Sequence, residues 1–292
     1  MKVLAAVEVD DALLHAWPLP TPQADGDKED RGRVVVVAGS REMPGAAVLA
    51  ATAAMRAGAG KLVIATPQSA AQSVAACVPE ARVIALPEAS DGGPSFHGLP
   101  LLQALGASTS ALLIGPGMIG RESTLTFVQG LLPVFKQATV LLDAIAMDAV
   151  MTARRLAQPV ILTPHAGEMA HLTGGEKDDL REEPLHAASR HAERWQVVLA
   201  LKGATTIVAR PDGEAWLHAC HTPGLGMSGS GDVLAGVIAG LAARGASPEQ
   251  AAVWGVALHA RAGDVLAARY GTLGYLAREL PAEIPALMHA LA

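Results

Sequence analysis

From residue 33 to residue 201 the chain repeats one unit. A short apolar run, often β-branched, meets a turn of glycine or polar residues, and a stretch with helical periodicity follows. The runs lie at 33–38, 61–66, 82–86, 111–114, 140–142, 159–162 and 197–201. The first holds Val34, Val35, Val36 and Val37 in succession, the pattern of a strand buried on both faces of a parallel sheet. Small-residue helices are predicted at 46–57 and 68–76. Strand and helix alternating over this length predict an α/β fold around a mostly parallel sheet. Ligands of such sheets bind outside the carboxyl ends of the strands. Gly39, Gly115, Asp143, His165 and Lys202, far apart in sequence, are therefore predicted to share one rim.

The alternation breaks once. Runs 206–210 and 214–218 flank Asp212-Gly213, a hairpin signal, so antiparallel strands are expected to follow the parallel ones. Residues 1–32, with Pro18, Pro20 and Pro22 and a polar run from Asp25, read as a surface lead-in to the first strand. No linker composition or internal repeat divides the sequence, and residues 1–292 are read as one domain.

Composition narrows the function. A formal net charge of −6 and an aromatic content of 3% give no electrostatic or stacking basis for nucleic-acid binding. Cys77 and Cys220 are isolated, forming neither a disulfide framework nor a zinc pattern, which suits a reducing cytoplasm. The N-terminus lacks the features of a secretory signal, and no apolar run reaches the roughly 18 residues that mark a membrane span.

One stretch carries chemistry. Residues 222–243 begin as a glycine loop and become helical at Asp232, with Val233, Leu234, Val237, Ile238 and Leu241 on one stripe. A glycine loop feeding a helix N-terminus offers unpaired N–H groups to a phosphate. Gly229 and Gly231 would allow its close approach. It is neither a Walker loop nor a Rossmann fingerprint. Asp232 has two readings at such a junction: a helix cap, or a base that takes the proton of a hydroxyl meeting a phosphoryl group.

Five segments together resemble the ADP- or ATP-dependent NAD(P)H-hydrate dehydratases, a branch of the ribokinase-like superfamily. They are Ala38-Gly39-Ser40 with Gly45-Ala46-Ala47; Gly115-Pro116-Gly117; Thr163-Pro164-His165-Ala166-Gly167-Glu168; Lys202-Gly203-Ala204-Thr205-Thr206; and Gly229-Ser230-Gly231-Asp232-Val233-Leu234-Ala235-Gly236. Their order and spacing span roughly residues 30–285. The resemblance implies a ribokinase-like three-layer α/β/α fold and dehydration of the S form of hydrated NADH or NADPH (NADHX, NADPHX). ADP is converted to AMP, or ATP to ADP, with release of phosphate and recovery of NAD(P)H.

It also assigns residues. Asp232 would be the base, and Ala46, Gly117, His165 and Asp232 would bind the hydrated cofactor. Lys202, Gly203, Ala204, Thr205, Thr206, Gly229, Ser230 and Gly231 would hold the nucleotide. Glu168 would organise Mg2+ through water, although a glutamate in a helix first turn also offsets the helix dipole. The family further implies a homotetramer and a partner NAD(P)H-hydrate epimerase, expected here as a separate chain. Two positions depart from the family pattern: Ile145 replaces an expected aspartate, and Met227 an expected threonine. A ribokinase-like kinase of a small alcohol and a non-catalytic dinucleotide-binding module are the alternative readings.

Overall fold

The computed structural model describes residues 5–21, 25–152 and 156–291. Among the described residues ten strands form one sheet: β1 (Val7–Glu8), β2 (Arg33–Val37), β3 (Lys61–Pro67), β4 (Arg82–Leu86), β5 (Ala111–Ile114), β6 (Thr139–Leu142), β7 (Val160–Leu162), β8 (Val198–Leu201), β9 (Thr205–Ala209) and β10 (Ala215–Ala219). Their order is β1-β10-β9-β8-β7-β6-β5-β2-β3-β4. Pairing is parallel from β8 to β4, antiparallel from β8 to β9 and β9 to β10, and parallel again between β10 and β1.

Alternation along β2 builds two cores. Val34 and Val36 face helices Pro44–Arg56, Ser230–Ala243, Pro248–Tyr270 and Leu280–Ala290, whereas Val35 and Val37 face Arg121–Leu131, Ala166–Thr173 and Pro184–Trp195. The sheet is thus covered on both faces, which explains the unbroken valines. Pro44 and Pro248 sit where their helices start, and Ser247 caps the second by accepting from the Gln250 amide at 3.3 Å.

The lead-in is more than a surface approach. Val7 and Glu8 pair with Trp216 and Leu217 at the sheet edge. Asp10 caps the short helix Asp11–Ala16, accepting from Leu13 N at 2.8 Å, and Leu14 is fully buried. Trp17 stacks on Trp216, ring centroids 5.6 Å apart, and its carbonyl accepts from Trp254 Nε1 at 2.9 Å.

One helix pair sets the position of the glycine loop. A side chain at Gly236 would strike the carbonyl of Ala50, and one at Gly240 that of Ala54. The helices Ser230–Ala243 and Pro44–Arg56 therefore run parallel, backbone against backbone, four residues for four. One turn earlier, this register sets Asp232 level with Ala46.

Candidate active site

The predicted rim is continuous. Gly39 N donates to the Pro116 carbonyl at 2.7 Å, and a side chain at Gly115 would strike the carbonyl of Asp143. Thr163 Oγ1 donates to Asp143 Oδ1 at 2.7 Å, and Lys202 N donates to the Pro164 carbonyl at 2.8 Å. Asp143 is only 4% exposed, so its charge needs partners. Lys202 Nζ supplies one, 3.5 Å from Asp143 Oδ1, and also lies 3.8 Å from Glu168 Oε2.

Asp232 stands in the first turn of helix Ser230–Ala243, which starts two residues before the predicted point. Its carboxylate does not cap. The N-cap is Gly229, at φ +86, with no side-chain bond to the first turn. A side chain there would also meet Leu49 Cδ1 at 2.6 Å, so both backbone and space select glycine. Burial pushes the Asp232 carboxyl up to about 6; nearby Asp143 adds to the rise and Lys202 opposes it. A carboxyl with that affinity is ionised at neutral pH yet basic enough to take a proton.

The other predicted residues divide into two groups. Ala46 and Gly117 come together: Gly117 has φ +64, and a side chain on it would collide with Ala46 Cβ. Gly45 beside them faces open space. Lys202, Gly203, Ala204, Thr206, Ser230 and Gly231 line a cavity of about 610 Å3, with Met227 on its wall and Leu234, Val256 and Ala260 supplying apolar surface. Thr205 instead faces a second cavity of about 760 Å3 on the other side of the Lys202–Gly203–Ala204 segment. A side chain at Gly231 would meet Lys202 Nζ at 3.5 Å and nothing nearer. Gly231 thus borders open cavity, while Gly229 is packed.

His165 lines both cavities. It is also the N-cap of helix Ala166–Thr173, its Nδ1 accepting from Gly167 N at 2.9 Å and Glu168 N at 3.1 Å. The ring proton is therefore on the exposed Nε2. Glu168 Oε2 completes the capping box by accepting from His165 N at 2.8 Å. Among the described residues no cluster of three His, Cys, Asp or Glu could hold a metal by itself. Ile145 packs partly buried against the core, satisfying an apolar position where the resemblance suggested an acid.

His259 gave no sequence signal. Its Nε2 is 3.0 Å from Ser230 Oγ and 3.1 Å from the Ser230 carbonyl. A carbonyl only accepts, so Nε2 carries the proton. Burial pushes this imidazole down to about 4, so it is neutral at working pH. It ties down the loop and leaves the Ser230 hydroxyl proton free for another acceptor.

A covered, mostly parallel sheet with an uncapped, acid-bearing helix start beside a strand-end lysine is the architecture of a ribokinase-like α/β/α protein. A ribokinase-like superfamily protein from Enterococcus faecalis V583 superposes with a TM-score of 0.84 at 26% identity, over 98% of this chain and 96% of that one. The sequence model for NAD(P)H-hydrate dehydratase matches residues 34–286, and the chain belongs to this family. It is 47% identical to the ADP-dependent (S)-NAD(P)H-hydrate dehydratase of Xanthomonas campestris pv. campestris, over 96% of this chain and 95% of that protein. The ADP/ATP-dependent NAD(P)H-hydrate dehydratase of Bacillus subtilis, co-crystallised with ATP/Mg2+, has a TM-score of 0.83 and 31% identity, over 99% of this chain and 100% of that one.

Proposed function

We propose that the chain dehydrates the S form of NADHX and NADPHX at the expense of ADP or ATP, a repair of damaged nicotinamide nucleotides. The observation that carries this reading is Asp232. It is a half-buried, uncapped carboxylate with its affinity for a proton raised to about 6, level with Ala46 on one side and near Lys202 on the other. The hydrated ring lies against Ala46 and Gly117, and its hydroxyl loses its proton to Asp232 while attacking the terminal phosphoryl group. Amides around Gly229, Ser230, Gly231 and Asp232 hold that group where charge accumulates. Hydroxide is a poor leaving group and phosphate a good one. The ring nitrogen's electron pair expels phosphate, a neighbouring ring carbon loses a proton, and the dihydronicotinamide is restored.

The nucleotide occupies the first cavity, along Lys202, Gly203, Ala204 and Thr206, with Thr205 on the far side of that segment. Mg2+ fits as a cation that comes with the phosphates and keeps most of its waters. Glu168 would reach it through water with Oε1, since only Oε2 is bonded in the cap. When bound, the ion supplies charge compensation that one lysine cannot. The chain acts as one domain, homotetrameric and cytoplasmic, beside a separate epimerase that converts the R form. Among the described residues no helix is long and apolar enough to cross a membrane.

The test is acid-prepared NADHX with ADP or ATP and Mg2+, followed by the near-ultraviolet absorbance of the dihydronicotinamide and by released phosphate. Both should rise together, and EDTA should abolish both. A stable phosphate ester would instead mark a kinase, and binding without nucleotide turnover a non-catalytic module.

A further inference from the structure

The second cavity has a charge pattern that the composition does not predict. It is lined by His165, Ala166 and Gly167 of the capped turn, by Lys202, Gly203, Ala204 and Thr205, and by Lys177, Leu180 and Arg181 of helix Lys177–Glu182. That helix also carries Asp178, Asp179 and Glu182, and none of these faces the cavity. Lys177 and Arg181 are four residues apart and share one side of the helix. Among the described residues three lysine and arginine side chains and no carboxylate thus line one concavity of a chain with a net charge of −6. Arg181 has, among the described residues, only a loose exposed partner, Asp178 Oδ1 at 3.6 Å, and can leave it for a better one.

We propose that this cavity binds the phosphate-bearing adenosine half of the hydrated dinucleotide, with Lys177 and Arg181 as its phosphate contacts. The inference rests on the dehydratase reading above and deepens it. Two phosphate-rich ligands must lie on the same rim, and the first cavity, with Leu234, Val256 and Ala260 behind the glycine loop, suits one adenosine. His165 borders both cavities. A dinucleotide whose nicotinamide end sits at Ala46, Gly117 and Asp232 can pass His165 and end in the second. The contacted phosphate is either the bridging pyrophosphate or the 2′-phosphate that distinguishes NADPHX from NADHX.

Both basic side chains lie on a solvent-exposed helix, so Lys177→Ala/Arg181→Ala should keep its thermal midpoint; Lys177→Gln/Arg181→Gln is the milder control. NADPH and NADH, the products of the proposed reaction, are titrated against the full chain, and KM values are measured for NADPHX, NADHX and ADP. Loss of charge-assisted contacts should weaken the dinucleotide about tenfold, leave the KM for ADP within about twofold, and flatten the salt dependence of dinucleotide binding. Weakening of both cofactors assigns the pyrophosphate; weakening of NADPH alone assigns the 2′-phosphate. Unchanged binding of both, or equal weakening of ADP, overturns the proposal. If wild-type protein turns nothing over while the variant loses NADPH, the dehydratase reading falls and the cavity assignment stands. If turnover is normal and NADPH binding is unaffected by the substitutions, the cavity assignment falls alone.

Discussion

Two helices begin beside Lys202 and treat their unpaired first-turn amides in opposite ways. Helix Ala166–Thr173 satisfies its own: the His165 ring accepts from Gly167 and Glu168, and Glu168 returns a bond to His165. Helix Ser230–Ala243 starts at Gly229 with no side-chain cap, and the carboxylate in its first turn leaves the amides alone. Nearly the same sequence device, an acid just inside a helix start, joins the cap in one and stays off it in the other. The difference lies in the residue at the cap. A side chain there closes the terminus against outside ligands, and a glycine leaves it for an anion.

The sharpest way to break this contrast is Asp232→Asn, which keeps shape and removes the proposed base. Turnover should fall at least about 10²-fold in the dehydration assay. Stability should move the other way. The folded carboxyl titrates near 6 and an unfolded one near 3.8. Above pH 6 the folded state therefore holds a buried charge at a cost, which fades as pH falls from 6 toward 4. The asparagine variant should be more stable at neutral pH, by at most ~3 kcal/mol, as denaturant titration would show. Wild-type kcat/KM should drop as pH falls through about 6. A pH-independent rate, or an active variant, would leave Asp232 as an ordinary first-turn acid.

Next in size is Gly231→Ala. Its new methyl group meets only Lys202 Nζ, at 3.5 Å, so folding should be untouched. It would stand where the phosphoryl group approaches, and turnover should fall by about tenfold or more. Gly229→Ala should do the reverse, lowering the thermal midpoint through strain at φ +86. If Gly231→Ala is benign, the anion does not sit on this terminus.

Lys202→Ala ranks third. It should raise the KM for nucleotide about tenfold and the KM for the hydrated cofactor less. It should also move the acid limb of the pH profile upward, because Lys202 holds the Asp232 pKa down against burial and Asp143. An unmoved limb would mean that the two groups do not share a site.

The smallest effect separates the observed cap of His165 from its proposed substrate contact. His165→Ala removes the cap and should cost about 1 kcal/mol of stability; His165→Asn retains capping ability and should recover most of it. If the asparagine variant is stable yet has a raised KM for the hydrated cofactor, the histidine contacts substrate as well as capping its helix. If KM recovers with stability, its role is the cap alone.

The sheet was readable because its parts are local: four valines, glycine turns and Asp212-Gly213 announce themselves within a few residues. Strand β1 is two residues long and has no period to detect. Asp232, Lys202 and the glycine loop were visible as motif and position. The bonds that decide their behaviour were not. The chain Thr163–Asp143–Lys202 exists because β6, β7 and β8 are neighbours, and strand order is not written in any one segment. His259 follows a run of small and apolar residues, 251–258, and acts on Ser230, 29 positions away. Capping by His165 escaped because an imidazole is not among the usual capping groups, although Glu168 at the third helical position was half of the box.

The bare contacts at Gly236 and Gly240 have a consequence for motion. Neither helix of that parallel pair can slide or tilt without driving its backbone into the other, so amides 47–54 and 233–240 should open to solvent exchange as one cooperative unit. Asp232 on one helix and Ala46 on the other would then share a single opening free energy. Whatever loosens the pair, even a methyl group at position 240 two turns from Asp232, would appear as matched amide exchange rates on both helices.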